Sequence, residues 1–233
     1  MISIAHRGAC RHNPENTIPA FLFAKKAGFT RFEMDVQLTK DGVLVICHDY
    51  TLERTAKTNI KIAELTYSEL KKFNVAKYFS ACKETVRIPS LEEVLDALGD
   101  NAEFFLEIKN RDNIYPDIAQ KIVRFIESKK ISPDKLFISS FHHETLKKIN
   151  RLNPSLNLGM LLRRGDRQDI TQRAKKINAA CINIHFDDAT DKLISDAHKH
   201  NLKVLAYTVN EPELAERLKT QNIDGIFTDR VDM

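Results

Sequence analysis

The chain predicts a (β/α)8 barrel, and three observations carry that expectation. Short β-branched or apolar runs alternate with longer amphipathic stretches from one end to the other. Eight such runs fit into 233 residues, close to the roughly 250 typical of this architecture. The main competitor, a doubly wound open sheet, usually shows a glycine-rich first turn for phosphates. This chain has seven glycines and neither a GxGxxG nor a GxxxxGK[ST] pattern.

The expected strands are residues 2–5, 31–35, 103–108, 136–139, 158–161, 181–185, 204–208 and 225–228. Expected helices cover 15–27, 91–98, 115–128, 144–151, 168–176, 191–199 and 211–219. Ser90 ahead of Leu91-Glu92-Glu93 has the spacing of a capping box. Asn-Pro and Ser-Pro pairs at 13–14, 132–133 and 153–154 mark breaks between elements. One place interrupts the alternation. Lys40-Asp41-Gly42 signals a tight turn, after which 43–48 reads as an extra hairpin strand returning along 36–38. Residues 50–89 are polar and weakly periodic, with one helix expected at 67–74. They read as a small insertion over one end of the barrel, within a single domain spanning 1–233.

Composition excludes several classes of function. A net charge of +4 with scattered lysines is the pattern of a solvated helical surface, not of a nucleic-acid partner. The absence of Trp also argues against a base-stacking platform. Cys10, Cys47, Cys82 and Cys181 show no CxxC spacing, as expected of reduced thiols in the cytoplasm. No run approaches a membrane helix, and no signal peptide precedes the first strand. Nothing in the pattern suggests stable membrane association, and oligomeric state is left open.

The chemistry is expected at the C-terminal strand ends, where barrels of this kind keep their active sites. His6 follows the first strand. Glu33 and Asp35, two residues apart, project from one face of the second. Glu107 and Lys109 repeat that arrangement after the third. Three carboxylates make an oxygen-rich site for one hard divalent cation, Mg²⁺ or Ca²⁺. Any one of them alone reads more simply as a surface carboxylate in a local salt bridge; the grouping with two histidines reverses that balance. Zinc fits less well, for lack of a cysteine pair or HExxH spacing. His6 and His48 suit general acid and base work, whereas Asp49 reads as a loop cap. Arg7 and Lys109 offer fixed positive charge to phosphate oxygens. Three carboxylates, a divalent cation, a singly charged phosphodiester and two basic side chains sum to zero, which suits a metal-assisted phosphodiesterase. His185 has a place either at the site or in packing, and His198 and His200 read as structural at a helix C-terminus.

The ordered phrases say more than any one of them. His6-Arg7-Gly8, Pro14-Glu15-Asn16-Thr17, Glu33-Met34-Asp35-Val36, Leu38-Thr39-Lys40-Asp41-Gly42, His48-Asp49 and Leu52-Glu53-Arg54-Thr55 resemble the signature series of glycerophosphodiester phosphodiesterases. Leu106-Glu107-Ile108-Lys109, Ser139-Ser140-Phe141, Tyr207-Thr208-Val209-Asn210 and Asp224-Gly225-Ile226-Phe227-Thr228-Asp229 continue it in order. The resemblance implies a phosphodiesterase barrel that takes a small glycerophosphodiester. It implies metal binding by Glu33, Asp35 and Glu107, acid/base work by His6 and His48, and phosphate contacts from Arg7 and Lys109. His142, Tyr207 and Val231 depart from the family's usual Asp, Trp and Pro, which bears on substrate preference rather than on the reaction. Phe141 and Tyr207 are expected either as walls for the glycerol or alcohol group or as core aromatics. Two competing readings are a related lysophospholipase D or phospholipid-directed barrel, and an inactive barrel serving as a binding module. The short insertion argues against the first and the intact His and carboxylate set against the second.

Overall fold

The computed structural model describes residues 1–232. Eight parallel strands close into a barrel: β1 (Ile2–His6), β2 (Arg31–Leu38), β4 (Glu103–Ile108), β5 (Leu136–Ser140), β6 (Asn157–Leu161), β7 (Ala179–His185), β8 (Lys203–Tyr207) and β9 (Gly225–Thr228). Pairing of β1 with both β2 and β9 completes the ring. The short β3 (Leu44–Ile46) lies antiparallel on β2, as the hairpin signal leads one to expect. The outer helices are α1 (Ile18–Lys26), α4 (Leu91–Leu98), α5 (Ile118–Lys129), α6 (His143–Leu152), α7 (Ile170–Lys176), α8 (Asp191–Lys199) and α9 (Pro212–Thr220).

The two-residue alternation of a strand builds the site and the core from the same segments. On β2, Phe32, Met34 and Val36 pack into the layer beneath the helices, while Glu33 and Asp35 point the other way. On β4, Phe104, Leu106 and Ile108 join that layer. Phe105 turns inward, stacks on Phe137 at 4.7 Å and meets Phe227 edge-on at 6.0 Å. Ile4, Cys181 and Leu205 complete this inner plug, which floors the barrel below the carboxylates.

Where element bounds differ from expectation, a local contact explains it. The first helix starts at Ile18 rather than residue 15. Asn16 is left-handed at φ 57, and the Thr17 side chain caps the helix by accepting from Ala20 N. The helix expected from 115 begins at Ile118, because Pro116 disfavours helical backbone at Tyr115. The helix at 67–74 shortens to α3 (Tyr67–Leu70). Beyond it, the Asn74 side chain accepts from Ala76 N and Val86 N, bonds that the helix could not provide.

The insertion differs more deeply from its expectation. It begins with a further short helix, α2 (Glu53–Ala56). Far from being a polar strap, it buries Leu52, Ala56, Ile62, Leu70, Val75, Val86 and Ile88 with Val45 and Cys47 in an apolar cluster of its own. Its apolar residues are spaced without a helical or strand period, so a periodicity reading passes over them.

Candidate active site

All five residues expected to hold a metal or move protons converge on one end of the barrel. His6, Glu33, His48 and Glu107 line a cleft of about 430 Å³ together with Arg7, Lys109, Phe141 and Tyr207. Asp35 lies beneath them, fully buried. Oxygen atoms of Glu33, Asp35 and Glu107 all lie within 4.8 Å of one another. Parallel register places them there, since Asp35 pairs directly with Glu107 and His6 with Glu33.

The electrostatics of this group are lopsided. Burial, then the neighbouring Asp35 and Glu107, push Glu33 well above the usual carboxylate range, against the pull of Arg7 and Lys109. Burial acts upward on Asp35 too, but Lys109, Arg7 and His48 outweigh it and hold that group far below the usual range. Lys109 Nζ sits 2.9 Å from Asp35 and 2.5 Å from Glu107, and Arg7 Nε 3.1 Å from Asp35. Glu33 Oε1, by contrast, is buried with no hydrogen-bond partner among the described residues. A carboxylate oxygen in that position is costly unless a cation answers it. The three carboxylates therefore suit a bound cation.

Each imidazole is held by a carboxylate of its own. His6 Nδ1 lies 2.7 Å from Asp229, and His48 Nδ1 lies 2.7 Å from Asp49. Both carboxyls are held below their usual range, Asp229 by His6 against its own burial and Asp49 by His48 first of all. An ionised carboxylate only accepts, so each ring carries its proton on Nδ1 and leaves Nε2 free to exchange one. His6 Nε2 lies 3.9 Å from Glu33.

Sequence reasoning passed over the residues that hold this set in place. Asn16 donates to Asp35 at 2.7 Å. Glu15 accepts from Arg7 at 3.0 Å and from both Nη atoms of Arg54 at 2.8 Å, and Arg54 donates in turn to Asp49. An unbroken chain of charges thus runs from Asp35 through Arg7, Glu15, Arg54 and Asp49 to His48. Arg54 enters it from the insertion. Arg7 reaches the chain from left-handed backbone at φ 55, and its N–H donates to Glu33. Gly8 follows at φ 80, where a Cβ would meet the Ala20 carbonyl carbon at 2.7 Å. Asp49 is a ring partner as well as a loop residue. Asp229 had a signal too, coming directly after the last strand. A second grouping, His6, Cys10 and Asp229, is a hydrogen-bonded set in which the Cys10 thiol donates to Asp229.

The opposite wall is largely aromatic, with Ser139, Asn183 and Thr208 among the rings. Phe141 and Tyr207 meet edge-on at 6.2 Å, and the Tyr207 hydroxyl donates to the Leu162 carbonyl. Tyr207 also packs on the inner plug, so it serves as wall and core at once. His185 and Phe186 complete that side. His198 and His200 lie on the outer surface, bonded to Asp224 and to the Asp196 carbonyl. The four cysteines are free.

A closed parallel barrel with acidic and imidazole groups gathered at its C-terminal rim has the frame of a barrel enzyme. The model of the Glycerophosphoryl diester phosphodiesterase family matches residues 6–233, and the chain belongs to that family. It is 34% identical to a glycerophosphodiester phosphodiesterase of Caldanaerobacter subterraneus, over 97% of this chain and 93% of the relative. A Bacillus altitudinis protein of the same name is 35% identical over 98% and 94%. An Oleispira antarctica phosphodiesterase, solved with its product sn-glycerol-3-phosphate, superimposes with a TM-score of 0.88 at 28% identity, over 98% of this chain and 93% of that one.

Proposed function

We propose that this protein hydrolyses glycerophosphodiesters to sn-glycerol 3-phosphate and an alcohol, with one divalent cation and His6 and His48 as the proton-transfer pair. The observation that carries this reading is the buried, unanswered oxygen of Glu33 among three converging carboxylates, in a cleft flanked by two carboxylate-held imidazoles. An all-oxygen donor set favours a hard ion, Mg²⁺ or Ca²⁺. Glu33, Asp35 and Glu107 would hold it, and when bound it supplies charge for a phosphate oxygen and acidifies a coordinated hydroxyl.

The rest of the chemistry belongs to the chain. His6 Nε2 takes the proton of the attacking oxygen as its bond to phosphorus forms. His48, protonated on both nitrogens, gives the Nε2 proton to the departing alkoxide as the other phosphorus–oxygen bond breaks. Arg7 and Lys109 hold phosphate oxygens, and Lys109 must then share its ammonium between Asp35, Glu107 and the substrate. Phe141 and Tyr207 shape the space beside the phosphate. Water adding one OH and one H balances the diester against its two products.

Release of glycerol 3-phosphate from glycerophosphocholine, with and without EDTA, tests this directly. Turnover should vanish with chelator and return with Mg²⁺ or Ca²⁺. Full activity in EDTA would remove the cation from the mechanism.

A further inference from the structure

A second depression of about 510 Å³ opens on the far side of Phe141. His48, Glu107, Lys109 and Phe141 line both spaces, while His6 lines only the first. If His48 protonates the departing group, that group occupies the His48 side. The inference here rests on that proposed reaction and concerns which alcohol leaves.

The charges around this depression are almost all spoken for. Asp49 is tied to His48 and Arg54, and Lys109 to Asp35 and Glu107. Arg111 lies 3.4 Å from Asp112 and 5.6 Å from the Tyr50 ring centroid. His142 Nδ1 meets the Thr145 hydroxyl at 2.8 Å. The loop after β6 is rich in arginine, and most of it is paired. Arg164 reaches Asp187 at 2.7 Å, Arg167 reaches Asp188 at 3.1 Å, and Arg173 within α7 grips Asp166 through both Nη atoms. Arg163 has no carboxylate partner among the described residues. Its guanidinium carbon lies 5.2 Å from the Phe141 ring centroid, exposed to solvent at the lip of the depression.

We propose that this depression is the leaving-alcohol subsite and that Arg163 selects alcohols carrying an oxyanion, either a carboxylate or a second phosphate. An aromatic ring behind a guanidinium keeps the fork flat and directed without using its N–H donors. Such a fork matches the paired oxygens of a carboxylate or phosphate. A quaternary ammonium would find the Tyr50 face already taken by Arg111 and an uncompensated cation opposite.

The test is a charge series on one scaffold. Glycerophosphodiesters whose alcohol is glycerol, glycerol phosphate, glycerate or choline are compared by kcat/KM in the wild type, Arg163→Gln and Arg163→Glu. The wild type should favour an anionic arm over the glycerol arm and disfavour choline. Arg163→Gln should lower the anionic-to-glycerol ratio about tenfold, the scale of one charge-assisted contact, and Arg163→Glu should reverse the preference. Preference for the phosphate arm or the glycerate arm identifies which oxyanion is read. A wild type that does not discriminate, or a ratio that survives both substitutions, overturns the assignment while leaving the hydrolysis intact. No turnover on any arm removes the proposed function, and this inference with it.

Discussion

The two halves of the barrel mouth are built on different physical terms. Strands β1, β2 and β4, with the residues just beyond them, contribute His6, Arg7, Glu33, Asp35, Glu107 and Lys109, most of them held by a named partner within about 3 Å. Strands β5 to β9, with the residues just beyond them, line the same cleft mainly with Phe141, Leu161, Phe186, Tyr207 and Phe227, interrupted by Ser139, Asn183, His185 and Thr208, and the rings are held mainly by packing on other rings. The charged half is costly to assemble, because each buried ion needs a counter-ion or a hydrogen bond. That cost is met by an extended network, so its geometry is rigid before any substrate arrives. The aromatic half imposes shape without direction. On the proposed function, chemistry belongs to the first half and selection to the second, and each of the following substitutions bears on that division.

The largest effect is expected from the proton-transfer pair. His6→Ala or His48→Ala should lower kcat by roughly a hundredfold or more without altering the melting temperature appreciably. Turnover near wild type in either variant would detach the charged half from catalysis. Asp229→Asn acts through the ring it holds, and kcat should fall about 10–100-fold, on the scale of lost carboxylate support for a working histidine. Its pH–rate profile should shift as well, because the His6 tautomer is no longer dictated; an unmoved profile would make Asp229 a packing residue.

Glu33 provides a thermodynamic test of the same half. Its carboxyl is raised in the folded protein. Without cation, the folded state therefore keeps a proton that the unfolded chain loses above about pH 4. Stability should fall as pH rises from there through the folded-state value. Saturating Mg²⁺ or Ca²⁺ should flatten that slope, and so should Glu33→Gln, which should also raise the cation concentration needed for activity. Melting temperatures across pH, for the wild type in EDTA and in cation and for Glu33→Gln in EDTA, check this, and identical slopes in all three would sink the ligand assignment. The smallest change is expected across the cleft. Phe141→Ala should raise KM several-fold and change kcat less, as expected of lost uniform binding. A pure kcat effect would move Phe141 from the selecting half to the reacting one.

How much was legible in the sequence follows from the same contrast. Glu33, Asp35, Glu107 and Lys109 could be read because strand alternation ties sequence spacing to a shared face, and strand ends to the barrel rim. His6 and His48 could be read beside them. The roles of Asp229, Glu15 and Arg54 could not, because each joins the site through a bond that spacing does not fix: Asp229 and His6 are 223 positions apart, and Glu15 and Arg54 are 39 apart. The apolar cluster of the insertion escaped for a related reason, since its residues make a core only after an irregular path has brought them together.

By itself, then, the order of residues determined the barrel, the rim and the chemical types gathered there, because periodicity and strand polarity are local properties of the chain. Tertiary structure alone decided which imidazole nitrogen faces the cleft, that Glu33 Oε1 is left without a hydrogen-bond partner, and that Arg163, unlike Arg164 and Arg167 beside it, has no carboxylate partner among the described residues. Those are outcomes of distance, and distance between remote segments exists only once the ring of strands has closed.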